Sequence, residues 1–161
     1  MRIRQHAYFA LISNTLTAAD ITSKLRVEPD AIGIRGSETP EPPVPRYHSW
    51  RVTSEETGLT VTDHLDRIID RLGSHAEMIG DLVLELVAAD SAPRVGSVLR
   101  VVRHFDDVSG EEEEESVLEM REGGRLEKLP GQHQLLGWHL SPRVIDFLWS
   151  THASLDFDEY G

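Results

Sequence analysis

The chain has no cysteine among its 161 residues. Disulfide bonds, thiolate metal sites and cysteine nucleophiles are therefore excluded. A reducing compartment is compatible with that absence. The opening residues, Met1 to His6, do not have the charged and apolar regions of a signal peptide. We therefore expect a cytoplasmic protein.

Positive charge is also scarce. Lys and Arg together number 16 against 28 Asp and Glu, so the formal net charge at pH 7 is -12. Nucleic-acid phosphates and anionic lipid surfaces both attract proteins through clustered positive charge. This balance therefore predicts neither a nucleic-acid partner nor a membrane partner. No apolar run approaches the roughly 18 residues that a membrane-spanning helix needs.

The short motifs that mark common active sites are missing. A serine hydrolase needs a G-x-S-x-G turn, and Gly96-Ser97-Val98 lacks the second glycine. The eight histidines include no H-E-x-x-H spacing, and no glycine pair leads into the Lys-Ser of a phosphate-binding loop. The sequence therefore predicts no metal, no cofactor and no recognisable catalytic set.

Apolar side chains recur at helical spacing in the middle of the chain. Leu65, Ile68, Ile69 and Leu72 stand at i, i+3, i+4 and i+7, and a capping-box-like start at Thr60–Asp63 precedes them. We predict that Gly73 ends this helix in the left-handed conformation. Residues 74–77 then have the pattern of a full capping box, which predicts a second helix.

Alternating patterns predict strands on either side of these helices. Residues 6–13 carry apolar side chains on both faces, and Trp50 alternates with polar neighbours so that it faces the core. Residues 37–46 contain four prolines and predict a surface loop. Near the end, Ser141-Pro142 starts a helix whose predicted buried face includes Trp149. A last strand follows it.

This order of elements predicts a single domain over residues 1–161 of the α+β class. The expected architecture is a two-layer sandwich, with a mostly antiparallel sheet and helices on one face. The nearest common template is the ferredoxin-like split βαβ arrangement. An acidic loop insertion is predicted at about residues 106–134.

Several segments resemble a bacterial family known only as domain of unknown function 4279 (DUF4279). Ile21 to Pro29 is similar to its "IT..L.I.P" segment, and Trp50 stands where the family places a tryptophan strand after a Gly/Pro loop. Thr62 to Ile69 resembles its central helix. Leu140 to Tyr160 resembles its closing segment. The resemblance implies the fold, and it implies no activity because the family has none established.

Two carboxylates near the end of the chain suggest one enzymatic alternative. Asp156 and Asp158 stand two apart on the last predicted strand, so both face the same side of it. Together with a histidine such as His48 or His139, they could bind a divalent cation or act as acid and base. This alternative is a small hydrolase or metal-dependent enzyme. A solvated strand face explains the same pattern more simply.

The leading hypothesis is a non-enzymatic binding or interaction module, such as an immunity or regulatory protein. An acidic run would steer a basic protein partner towards it by long-range attraction. The partner-steering residues are Glu111, Glu112, Glu113, Glu114 and Glu115. The candidate pocket or partner residues are Trp50, His48, Trp138, His139, Asp156 and Asp158.

Overall fold

A computed structural model describes residues 2–106, 118–119, 125–126 and 138–161. The main sheet has five strands, which are β1 (Arg2–Ser13), β2 (Ala31–Gly33), β5 (His48–Ser54), β6 (Gly96–Asp106) and β9 (Ser154–Tyr160). Two small ladders pair β3 (Thr39–Pro40) with β4 (Pro43–Val44), and β7 (Leu118–Glu119) with β8 (Arg125–Leu126). The helices are α1 (Ala18–Leu25), α2 (Val61–Leu72), α3 (Ala76–Ala89) and α4 (Pro142–Ser150).

The strand order in the main sheet is β2-β5-β1-β6-β9. β5 is antiparallel to both β1 and β2, so β1 and β2 run parallel with β5 between them. β5 and β6 are likewise parallel with β1 between them. These two interleaved split βαβ units give the strand order of a ferredoxin-like sheet. β9 extends this sheet by pairing parallel to β6, and the predicted α+β class is confirmed.

Local side-chain chemistry fixes the starts of α1 and α2. Thr17 caps α1 and Thr60 caps α2. In each case the side chain of the Asp three residues later accepts a hydrogen bond from the backbone amide of the capping threonine. These reciprocal capping boxes satisfy amide groups that the helix itself leaves free. The apolar stripe predicted for α2 is buried along its whole length.

The junction between α2 and α3 lies where it was predicted, with Gly73 directly after the last residue of α2, but its conformation differs. Gly73 has φ -58° and ψ -38°, which is right-handed and not the left-handed conformation expected. A single 3-10 turn, Gly73–His75, continues from α2 into α3. The amide of Ala76 donates to the carbonyl of Gly73 within that turn, so the start of α3 needs no side-chain cap. The capping box predicted at residues 74–77 does not form for this reason.

The prolines of residues 37–46 do not leave that segment as a simple loop. It contains the β3–β4 hairpin, although it stays outside the main sheet as predicted. Proline lacks an amide donor but keeps its carbonyl acceptor. Here the amides of Gly36 and Glu38 donate to the carbonyls of Pro45 and Val44, and these bonds hold the hairpin together.

One interior lies between the sheet and the helices. Phe9 of β1 is fully buried, and its ring meets the edge of Phe147 of α4 with 5.4 Å between centroids. The four helices contribute to this one cluster of buried side chains. The predicted two-layer arrangement with helices on one face is therefore observed. None of the described helices has both the length and the apolar character that crossing a bilayer requires.

The rotation of α4 differs from the prediction. Val144 and Phe147 point inwards, and they share their face with Thr151 at the helix end. Ile145 and Trp149 lie on the adjacent face and are 52% and 83% exposed. The prediction that Trp149 belongs to the core is therefore wrong, because the buried stripe follows residues 144, 147 and 151.

Candidate functional site

The face of the sheet that lies away from the helices carries a groove of about 570 Å³. Tyr8 of β1 stands near its middle, because the strand register pairs Tyr8 with Thr53 on one side and with Arg100 on the other. Ala10 pairs with Arg51 in the same way. Directly paired residues point to the same face of a sheet. These side chains therefore form the floor of one surface.

Four arginines line this groove, namely Arg46, Arg51, Arg94 and Arg100. We call it the arginine groove. Among its lining residues, all of which the structure describes, Asp156 is the only carboxylate. The groove is thus locally cationic, whereas the whole chain has a formal net charge of -12. Gathering like charges costs free energy unless an opposite charge neutralises them.

Tyr8 organises two of the arginines. The guanidinium carbon of Arg51 lies 5.2 Å from the centroid of the Tyr8 ring, and that of Arg100 lies 5.9 Å from it. Both distances fall within cation–π range. Because the three residues stand on neighbouring strands, the backbone ladder sets their separation, which favours a preformed site.

The four arginines differ in how they are neutralised. Arg100 donates from Nη2 to Oδ2 of Asp156 at 2.5 Å, and its Nε lies 3.5 Å from Oδ2 of Asp158. The hydrogen bond to Asp156 raises the pKa of Arg100 above its ordinary value. Within the described residues, no carboxylate forms an ion pair with any of the other three arginines of the groove. As far as the described residues go, these three arginines are therefore available to an anion.

The two carboxylates predicted to act together do lie on one side of β9. Asp156 pairs with Arg100, and Asp158 pairs with Val102, which places both carboxylates on the groove face. Both form ion pairs with Arg100. No group of three His, Asp or Glu side chains among the described residues is placed to hold a metal ion.

We expect Asp156→Ala to lower the free energy of unfolding by at most about 1 kcal/mol. The Asp156–Arg100 pair is partly solvated, with side chains 44% and 34% exposed, and such pairs contribute little. Urea unfolding measures the change, with Asp146→Ala on the exposed side of α4 as the control. Metal analysis of the same variant addresses the enzymatic alternative. Stoichiometric Zn²⁺ or Mn²⁺ that is lost with Asp156 would support a metal enzyme and contradict a purely positioning role.

The predicted histidines do not join these carboxylates. His48 pairs with Ser13 on the helix-facing side of the sheet, and its Nδ1 accepts a hydrogen bond from the backbone amide of Arg35 at 3.2 Å. His139 is exposed just before α4. Neither lines the arginine groove.

The two candidate tryptophans have packing roles. Trp50 is fully buried, and its Nε1 donates to Oγ1 of Thr22 at 3.1 Å. Trp138 stacks on Phe157 with 4.0 Å between ring centroids and 7° between planes. The acidic run Glu111 to Glu115, and most of the predicted insertion around it, lie outside the described residues.

Sequence patterns alone did not reveal the arginines. They stand at positions 46, 51, 94 and 100, in two loops and two strands, and no motif spacing links them. One signal was available. Arg51 lies between inward-facing Trp50 and Val52, and Arg100 lies between Leu99 and Val101. Strand alternation therefore places both arginines on the outer face.

A family model described as "Domain of unknown function (DUF4279)" matches residues 2–106, which is more than half of the chain. The chain belongs to the DUF4279 family. The DUF4279 match runs from β1 to β6 and contains all four arginines of the groove. Asp156, Asp158 and the closing segment from Leu140 lie beyond it. A search of the curated proteins and a search of the solved structures each found no match.

Proposed function

We propose that this protein is a non-enzymatic binding module that holds an anionic small molecule in the arginine groove. One observation carries the proposal. Arg46, Arg51 and Arg94 lie together without a carboxylate partner among the described residues, although the chain is rich in Asp and Glu. An anion in the groove would neutralise them.

The groove also suggests the chemistry of the ligand. Arginine presents a planar fork that matches carboxylate and phosphate oxygens, so the charged part of the ligand is a carboxylate or a phosphate. Tyr8 and Tyr47 supply aromatic surface beside the arginines. A volume near 570 Å³ falls in the range of small-molecule sites. A compact anion with a flat or apolar part fits this lining.

Asp156 and Asp158 support a binding role rather than a catalytic one. Both carboxylates form ion pairs with Arg100, and these pairs hold the Arg100 guanidinium in place at one wall of the groove. A general base or metal ligand needs a free lone pair aimed at the reacting centre. The hydrolase or metal-enzyme alternative would have to use the Oδ1 atoms, because Oδ2 of each carboxylate already faces Arg100.

The wider setting of the module is also part of the proposal. We propose that this module is a cytoplasmic immunity or regulatory protein, because proteins of these classes act by binding and need no catalysis. The absence of cysteine is compatible with a reducing compartment. Steering of a basic protein by Glu111 to Glu115 stays a prediction from sequence. Lower association rates in high salt would support it.

We expect Arg51→Gln to weaken anion binding about 10-fold, because a hydrogen bond to a charged group contributes roughly 1.5–3 kcal/mol. Citrate and pyrophosphate serve as probes, one for each anion chemistry, and isothermal titration calorimetry measures their dissociation constants. Arg51 is exposed and forms no ion pair with a described residue, so the variant should fold normally.

Arg67→Gln is the matched control. It removes the same charge from α2, in the other layer of the domain, where Arg67 pairs with Glu56. Its affinity for both probes should stay within about 2-fold of the parent, since distant exposed charges are strongly screened. Equal losses in the two variants, or no saturable binding of either anion to the parent, would contradict the proposal.

A further inference from the structure

Trp149 is the most exposed of the large apolar side chains that the structure describes, at 83%. It stands one turn after Ile145 on the outer face of α4, and Ile145 is itself 52% exposed. Tryptophan contributes strongly to the centres of protein interfaces, because it buries a large area and loses little conformational freedom. Trp149 and Ile145 together form a contiguous exposed apolar patch, which is the kind of surface on which another molecule docks.

Two carboxylates border this indole. Trp149, Ser150 and His152 form a shallow depression together with Glu77, Gly80 and Asp81 of α3. Glu77 and Asp81 are one helical turn apart, so they lie on the same side of α3. Neither forms an ion pair with a described residue. We call the set Glu77, Asp81, Ile145 and Trp149 the Trp149 surface.

Gly80 keeps the two helices close enough to build this surface. A Cβ atom at residue 80 would lie 2.1 Å from the carbonyl oxygen of Ser150, so α3 and the end of α4 are in direct backbone contact there. The carboxylates and the indole therefore stand on two helices that pack rigidly against each other, and the geometry does not depend on a loop.

We infer that the Trp149 surface docks a protein segment that presents an arginine or lysine beside an apolar side chain. The cation would lie against the indole face, where aromatic rings attract positive charge. Glu77 and Asp81 would neutralise it, and Ile145 would cover the neighbouring apolar group. Charge complementarity identifies this occupant, because an acidic or neutral segment would leave both carboxylates uncompensated. The inference is independent of the arginine groove, which lies on the opposite face of the sheet.

The test uses three synthetic peptides that alternate leucine with arginine, glycine with arginine, or leucine with glutamate. Trp149 contributes most of the quenchable emission, because it is 83% exposed, whereas Trp50 is fully buried and Trp138 is half-buried and stacked on Phe157. We expect the leucine–arginine peptide to protect the indole emission from acrylamide quenching and to bind saturably by calorimetry. The glycine–arginine peptide should bind more weakly, and the leucine–glutamate peptide should not bind.

Variants then locate the site on the protein. Trp149→Ala and the double variant Glu77→Gln/Asp81→Asn should each weaken the leucine–arginine peptide about 10-fold. Glu38→Gln/Glu41→Gln removes two exposed carboxylates from the β3–β4 region and is the charge-matched control. It should change the affinity less than 2-fold, and so should Arg51→Gln in the arginine groove.

Three outcomes would overturn the inference. An equal loss in the Glu38/Glu41 control would mean that the peptide follows net charge alone. Equal binding of the leucine–glutamate peptide would show that Glu77 and Asp81 do not select a positively charged segment. Sedimentation showing a dimer that Trp149→Ala converts to a monomer would assign the surface to a second copy of this chain instead.

Discussion

Gly80→Ala is expected to lower the free energy of unfolding by about 2 kcal/mol. The added Cβ would lie 2.1 Å from the carbonyl oxygen of Ser150, and a backbone atom cannot rotate away as a flexible side chain can. Overpacking of this kind typically costs about 1–3 kcal/mol. Alanine recovers part of that cost through its higher helix propensity. For a chain of this size, the loss corresponds to roughly 4–8 °C in melting temperature.

Gly73→Ala is the matched control for Gly80→Ala. Gly73 is also in right-handed backbone, and a Cβ there would meet only Cγ2 of Ile69 at 3.5 Å, an ordinary contact. Alanine should be neutral or stabilise the protein by up to about 1 kcal/mol, since it restricts the unfolded chain. Urea unfolding of the two variants provides the comparison. Similar effects in both would refute the close packing of α3 against α4.

The stability of the protein should also fall in mild acid because of His64. This side chain is 1% exposed, and its Nδ1 lies 2.8 Å from Oγ of buried Ser54. Burial is the main cause that lowers the pKa of His64 below its ordinary value of 6.5. Electrostatic interaction with His6 and Arg67 lowers the pKa of His64 further, whereas a hydrogen bond with the backbone of Gln5 and the carboxylate of Asp63 raise it.

The direction of this pH dependence follows from where the proton binds first. Below pH 6.5 the unfolded chain protonates this histidine while the folded protein keeps it neutral. Stability is therefore full above pH 6.5 and falls as the pH drops, by up to about 1.4 kcal/mol per pH unit, until the lowered native pKa is reached.

The double variant His64→Leu/Ser54→Ala isolates this contribution. Replacing both partners leaves no buried hydroxyl or imidazole unpaired, so the variant should fold at pH 8. Chemical unfolding at several pH values between 5 and 8 gives the free energy of each protein. Below pH 6.5 the parent should lose more stability than the variant. The slopes of their unfolding free energies against pH should differ by up to about 1.4 kcal/mol per pH unit, which corresponds to one proton. Parallel curves would show that His64 is not the titrating group.

The fold could be predicted because its main signals are local and periodic. The stripe from Leu65 to Leu72 and the Thr60–Asp63 cap each specify α2 without reference to the rest of the chain. Gly73 does follow the last residue of α2 as predicted, but its left-handed conformation was predicted wrongly, because glycine also fits a right-handed turn and the continuation into α3 selects that conformation. The burial of Trp149 was predicted wrongly because apolar residues occupy two adjacent faces of the short helix α4. Packing against the sheet decides which of these faces is buried.

The candidate site could be predicted only in part. The placement of Asp156 and Asp158 on one side of β9 follows from the two-residue period of a strand. Their engagement with Arg100 depends on which strand lies beside β9 and in what register. The arginine groove has the same origin, since Tyr8 and Arg100 are far apart in sequence and become neighbours through pairing of β1 with β6. An overall charge of -12 gives no hint of such a local excess of cations.

The interleaving of β1 between β5 and β6 has a consequence during translation. The register joins Arg2 to Asp106, so one edge of the first strand cannot be completed until the ribosome has made roughly a hundred further residues. At about 5–20 residues per second this takes on the order of 5–20 seconds. For that time the nascent strand displays unpaired backbone groups that other chains can pair with. Chaperone binding to the emerging chain would protect it during this interval.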